Sequence, residues 1–206
     1  MDSYLAPLAF TVAAIGAGLA RRWRVYRQHA LETARHVEAE RIIAMLSAKQ
    51  PGVWDQEDLR SRMREIAERL WSAPTRDALA QLEPWVSAQV LAQALHDWPA
   101  RSVRREVALE FAPVAFMQVH EGGPQNDRVV ARLIVRRDSS WLDAEDHVLR
   151  RRREGARTTY HTWLHVDGRG WHLEAIAPSP PNAELPPYSV SCRILPQSPE
   201  RAERSG

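Results

Sequence analysis

The sequence predicts an α+β protein, with an apolar N-terminal helix running into a long polar one, then shorter helices, then antiparallel strands. Three observations carry this. Residues 3–20 (SYLAPLAFTVAAIGAGLA) hold no charge, and four arginines follow within the next seven positions. Between 55 and 98 the apolar residues recur at helical spacing. Beyond 102 the period changes to two.

The chain of 206 residues is 44% hydrophobic and 26% charged, which suits one globular domain with appendages. A net charge of +2 selects no partner class, but the basic residues cluster at Arg21–Arg27 and Arg150–Arg153. Electrostatic function is therefore expected to be local. Lys49 is the only lysine, and Cys192 the only cysteine, which excludes an intrachain disulfide and a cysteine-based metal site.

The apolar run has eighteen residues, which at ~1.5 Å each reach ~27 Å, close to the hydrocarbon thickness of a bilayer. It reads as a membrane anchor over residues 1–24, flank included. A secretory signal would carry its positive charge first, whereas here Met-Asp-Ser opens the chain and the arginines come after. By the positive-inside rule the N-terminus lies outside and the main domain in the cytoplasm. Arg21, Arg22, Arg24 and Arg27, interleaved with Trp23 and Tyr26, form a lipid-facing basic flank suited to anionic headgroups. Gly16, Gly18 and the many alanines keep a second reading open, a helix lying in the interface.

Residues 25–50 lack Gly and Pro and read as a connecting helix, with Ile42, Met45 and Leu46 as a modest apolar stripe. Pro51-Gly52 punctuates the chain and places the start of the main domain at 53. Asp55 offers an N-cap, with Asp58 as a weak capping-box partner, and Leu59, Met63, Ile66 and Leu70 share one helical face. Thr75 caps a short helix through Leu82. Pro84 opens the next helix, which buries Val86, Val90, Leu91, Ala94 and Leu95 and ends at Trp98-Pro99.

Val103–His120 is expected as two extended pieces or one bulged strand, broken at Pro113. Val129–Val135 is strand-like. Within Ser139–Gly155 acids come first, Arg150–Arg153 last and Gly155 after, the charge order of a short helix. Tyr160–Ile176 reads as a hairpin turning at Asp167–Gly170, pairing Val166 with Trp171 and Leu164 with Leu173 on one apolar face. His161, Trp163, His165, His172 and Glu174 then share the other. Residues 179–206 form a Pro-rich tail expected to be partly disordered.

The closing hairpin, with Trp163, Leu164, Gly170, Trp171, Leu173 and Ile176, resembles the Tim-forty-four-like domain. Asp58-Leu59, Trp71, Leu79 and Trp85-Val86-Ser87 fall where that family has its helix positions, and the resemblance covers roughly 53–178. It implies an α+β cone related to that of nuclear transport factor 2, with helices packed into a curved antiparallel sheet. It further implies a binding module that tethers a partner to a membrane, as in mitochondrial and bacterial inner-membrane relatives. The Ser139–Gly155 insertion, the Pro-rich tail and the missing chaperone-recruiting region depart from the family, so chaperone recruitment is not carried over.

Chemical motifs are sparse. His161 and His165 lie ~13 Å apart along one strand, too far to share a metal. His165 and His172 could face each other across the hairpin, with Glu174 too distant to complete a set. No metal or cofactor is expected. Tyr160, His120 and Asp138 are the acid–base candidates and form no recognisable set. No phosphate loop, nucleophile elbow or Cys–His pairing is present. Arg150, Arg151, Arg152 and Arg153 are candidate anion contacts, but they lack an aromatic platform in the sequence nearby, so no nucleic acid is expected. The expected function is a scaffold holding a partner protein or assembly intermediate at the cytoplasmic face of the inner membrane. The alternatives are an accessory subunit of a larger membrane complex, packed through Gly16, Gly18 and Ala20, and a small-molecule enzyme of the isomerase or dehydratase type. A polar cavity with a buried ionisable group favours the enzyme, and a cavity filled by Trp and Leu favours the scaffold.

Overall fold

The structure, a computed structural model, describes residues 5–123 and 126–180, with residues 5–19 as backbone only. The expected tail at 179–206, Cys192 included, lies outside the described residues beyond Pro180. The architecture is α+β, with five helices followed by five antiparallel strands.

Helix α1 (Leu5–Lys49) is continuous. From Ala20 to Leu31 every residue is exposed, and from Glu32 onward the helix docks. Ala39, Ile43 and Leu46 enter the core and Ile42 packs against it, while Met45 stays exposed, so of the expected stripe Ile42 and Leu46 face inward and Met45 does not. Three polar ties fix the docked half. Glu32 accepts from Arg132 at 2.6 Å and from the Tyr160 hydroxyl at 3.1 Å, and the His36 ring meets the Phe116 carbonyl at 3.1 Å. Glu40 pairs with Arg60, which also lies over the Phe116 ring. The segment that reads as a connector thus carries part of the domain's core. Among the described residues no helix is long and apolar enough to cross a membrane.

Helix α2 (Pro51–Trp54) is one turn, placed by Pro at its start. Helix α3 (Gln56–Ser72) begins at Asp55, whose side chain accepts from the backbone of Glu57 and Asp58, and buries Leu59, Met63, Ile66 and Leu70 as their spacing requires. Thr75 caps α4 (Arg76–Ala80) and Ser87 caps α5 (Ala88–His96). Pro84 therefore lies before α5 rather than in its first turn. Instead residues 81–85 form a turn that delivers Val86 to the sheet, where it bridges in parallel to Leu173. Leu173 donates to the Trp85 carbonyl, Ser87 donates to the Leu173 carbonyl, and the Ser87 hydroxyl reaches the Glu174 carbonyl. This pairing covers the outer edge of the sheet, which would otherwise leave strand groups unpaired.

The sheet is built on β3 (Arg128–Leu142). Strands β1 (Arg104–Phe111) and β2 (Ala115–His120) pair in succession along one side of it, divided at Pro113 as expected. Strand β4 (Val148–Val166) pairs along the other side, and β5 (Gly170–Ala177) pairs with β4. The helix once expected in 139–155 is absent. A turn at 143–147 leads into β4, because each residue from Arg150 to Arg153 has a ladder partner on β3. The odd residues of β3 from Val129 to Trp141 face the helices and are buried. The apolar ones among them, Val129, Ala131, Leu133, Val135 and Trp141, make the main core together with Trp54, Leu70, Leu79, Val86, Trp163, Trp171 and Leu173.

The hairpin turn is one residue tighter than its sequence suggested. Val166 pairs with Gly170, and Gly168 and Gly170 hold φ of 74° and 75°, the left-handed region that glycine adopts without penalty. A one-residue slip exchanges the faces. Trp163 pairs with Leu173, and His161 with Ile176, all on the helix side, while Leu164 and Thr162 fall on the other.

Candidate functional site

A cavity of about 570 Å³ opens between α3, α5 and the sheet. Its apolar wall comes from Leu70 and Trp71 at the end of α3, Val90 and Ala94 on α5, Val135 and Trp141 on β3, and Ile176 on β5. Its polar wall holds four guanidinium groups, Arg105, Arg137, Arg152 and Arg157, against two carboxylates, Asp97 and Glu154.

The strand register explains how so many charges reach one face. Val135 pairs with Arg157, but Arg137 pairs with Glu154, so residues 155 and 156 bulge against a single partner. The bulge reverses the alternation of β4. Before it Arg150, Arg152 and Glu154 face the helices, and after it Arg157, Thr159 and His161 do. Gly155 sits in this bulge.

The buried pair is Arg137 with Glu154, at 2.8 and 3.0 Å from two guanidinium nitrogens to one carboxylate oxygen. Glu154 also receives Arg152 at 2.7 Å, and Arg152 reaches on to Asp97 at 3.0 Å. Arg105 donates to the carbonyls of Ala73 and Leu70, which are free because α3 ends there. Burial and then the Arg137 charge pull Arg105 down to about 10, still cationic at neutral pH. Two of these arginines lie over tryptophan, Arg105 over Trp98 at 4.7 Å and Arg137 over Trp71 at 4.8 Å, and the neighbouring Arg150 lies over Trp141 at 5.4 Å. The indole N–H groups of Trp71 and Trp141 have no partner.

The four candidate anion contacts therefore divide. Arg150 and Arg152 face the cavity side, and Arg150 does have an aromatic platform, supplied by Trp141 from the neighbouring strand. Arg151 and Arg153 take the opposite face, where Arg153 pairs with Asp138 at 3.4 Å. The residues that sequence reasoning missed are Arg105, Arg137, Glu154, Trp71 and Trp141. One signal was available: Arg137 continues the buried series Val129, Ala131, Leu133 and Val135, where an unpaired charge would be costly.

The acid–base candidates do not converge. Tyr160 pairs across from Arg132 and His120 from Arg128, while Asp138 lies ~20 Å further along β3 than Arg132. The Tyr160 hydroxyl is raised by burial and then by the charge of Glu32, its hydrogen-bond partner. His165 and His172 sit on opposite faces, since His165 pairs with Trp171 and Leu164 with His172. Asp143, Glu145 and His147 bring ligand atoms within 4.8 Å of one another at an exposed turn. Asp143 already accepts the backbone N–H of His147 and of Glu145, which holds its carboxyl below the usual range. That accounts for the cluster as a turn.

Of the hairpin motif, Trp163, Trp171 and Leu173 are buried and Ile176 packs on the core, while Gly170 serves the turn and Leu164 is half-buried on the other face. The Trp171 indole donates to the Val53 carbonyl at 3.0 Å, and its ring meets Trp54 edge-on at 5.1 Å. On the stalk, Arg21, Arg22, Arg24 and Arg27 are exposed, as are Trp23 (66%) and Tyr26 (69%).

No protein-family model matches the chain, and no curated protein matches it. Among solved structures it is similar to an Ntf2-like protein involved in plasmid conjugation, at 9% identity and a TM-score of 0.31. The match covers 59% of this chain and 50% of that one, so the chain spans about half the length of the structure it matches.

Proposed function

We propose that the protein is a membrane-tethered binding module of Tim-forty-four-like type, which holds a partner protein at the cytoplasmic face of the inner membrane. The observation that carries this reading is the unbroken course of α1. The helix leaves the apolar run, crosses the exposed stretch from Ala20 to Leu31, and enters the core without a hinge. Twelve exposed residues at ~1.5 Å each would hold the domain ~18 Å from the end of that run.

The basic flank suits an upright helix. At ~100° per residue, Arg21, Arg22, Arg24 and Arg27 fall at about 0°, 100°, 300° and 240° around the axis. Trp23 and Tyr26, with ring centroids 6.3 Å apart, fill the remaining sector. A helix lying flat on a membrane needs one apolar side and one basic side. A collar of this kind instead fits passage through the headgroup layer, where each arginine gains ~1 kcal/mol beside anionic lipid.

Carbonate extraction of membranes from cells expressing the full chain tests the tether. Retention of the full chain, and release of a chain lacking 3–20, is expected. Extraction of the full chain at alkaline pH would refute it. Protease added to inverted vesicles should digest the main domain, and protection there would overturn the cytoplasmic placement.

A further inference from the structure

We infer that the cavity between α3, α5 and the sheet binds a small organic anion, a carboxylate carried on a flat apolar body. The inference is independent of the membrane reading, because it rests on residues of the domain alone.

Four features of the cavity select such a ligand. Its volume of about 570 Å³ lies within the ~300–1,000 Å³ typical of small-molecule sites. Its charges are unbalanced, four guanidinium groups against Asp97 and Glu154, so the empty space sits in a positive field. Both carboxylates are already engaged by Arg137 and Arg152. Arg157, 65% exposed at the mouth, touches Glu154 only at 3.7 Å, so its guanidinium is available to an incoming acceptor. Finally, the wall is aromatic as well as cationic, with Trp71 and Trp141 among its residues.

The shape of the ligand follows from the walls. Trp71, Val90, Ile176 and Val135 give apolar contact, which a flat ring system uses well. The carboxylate then meets Arg157 and Arg152 at the entrance, where a charge-assisted pair forms with least loss of hydration. Arg152 is held in place by Asp97 and Glu154, and behind it Arg105 and Arg137 are fixed by stacking on Trp98 and Trp71, so little order is lost in the wall when a ligand arrives. Among the described residues the carboxylates of the wall are already paired, Asp97 with Arg152. Glu154 is held by three arginines, and Tyr160 belongs to the α1 contact.

Calorimetry with 2-naphthoate and its neutral counterpart 2-naphthamide tests this on the full chain. Naphthoate is expected to bind with a Kd below about 1 mM, and the amide about tenfold more weakly. Arg157→Gln, which removes an exposed charge, should weaken naphthoate about tenfold and leave the amide unchanged. Ala94→Phe, which fills the cavity from α5, should abolish both; Gln93→Trp serves if that variant is unfolded by circular dichroism. Equal affinity for acid and amide would overturn the inference, as would absence of naphthoate binding to the folded chain. Binding indifferent to both Arg157→Gln and the cavity-filling variant would overturn it too.

Discussion

His161 is fully buried on the helix side of β4, beside Trp163 and against the core, and its burial depresses its pKa from 6.5 to about 3. The Thr159 hydroxyl lies 3.1 Å from its Nε2 and 3.4 Å from the Leu133 carbonyl. The hydroxyl can donate only once, so with that proton given to Leu133 the neutral ring carries its own proton on Nε2. Nδ1 then faces the core with no partner. Protonating it would bury an uncompensated charge. The unfolded imidazole takes a proton near pH 6.5 and the folded one only near 3, so the native contribution is complete above about 6.5. It is lost progressively as pH falls through that interval, at about 1.4 kcal/mol per pH unit. At pH 5 the loss is about 2 kcal/mol, or about 1 M in the urea midpoint for an m near 2 kcal/mol/M. His161→Phe keeps a ring and removes the titration. Urea unfolding followed by tryptophan fluorescence at pH 7.5 and 5.0 should show the wild type losing about 2 kcal/mol more than the variant. The comparison cancels the other titrating groups and any packing cost of Phe. Parallel pH dependence in the two chains would refute the reasoning.

Three further outcomes follow from named contacts. Arg137→Met alone should cost about 3–5 kcal/mol by leaving Glu154 buried with less cation around it, whereas Arg137→Met with Glu154→Leu should cost less than the sum of the singles, read from a denaturation double-mutant cycle. Asp55→Ala removes the α3 cap and should cost about 1 kcal/mol, lowering Tm by about 2–4 °C. Glu32→Gln weakens the tie of α1 to Arg132 and Tyr160, so amide hydrogen exchange should speed up around 32–36 while α3 keeps its protection.

The helices were legible because their information is local. Asp55, Thr75 and Ser87 each satisfy backbone donors two or three residues on, and Leu59 to Leu70 mark a face by spacing alone. The strands depended on partners the sequence does not display. In 143–155 the charge order matched a helix dipole, yet each arginine from 150 to 153 gains a ladder partner on β3, and Arg150 also gains the face of Trp141. At the hairpin, Asp167-Gly168-Arg169-Gly170 holds two glycines able to adopt positive φ, so the pattern admits two registers. Burial decides between them, since only the tighter turn places both Trp163 and Trp171 against the helices. The cavity was least legible. Arg105, Arg137 and Glu154 come from three strands, and it takes a bulge at 155–156 to bring Glu154 and Arg157 onto one face.

The near-absence of lysine acquires a physical meaning from these contacts. Three of the charged contacts between the helical layer and the sheet are made by an arginine placed over an aromatic ring: Arg60 on Phe116, Arg105 on Trp98, Arg137 on Trp71. A guanidinium can stack through its face while its edge serves carbonyls or carboxylates, as Arg105 does with Ala73 and Arg137 with Glu154. A lysine ammonium is more strongly hydrated and cannot do both in these buried places. The same stacks divide the domain into two working ends. Glu32 and His36 fasten α1 at Phe116, Arg132 and Tyr160, whereas the cavity begins at Val135 and runs to Trp141, ~30 Å along β3 from Arg132. No described residue of α1 lines the cavity, so the tether and the cavity use different parts of the domain, meeting only where Thr159 and Ala177 flank Tyr160.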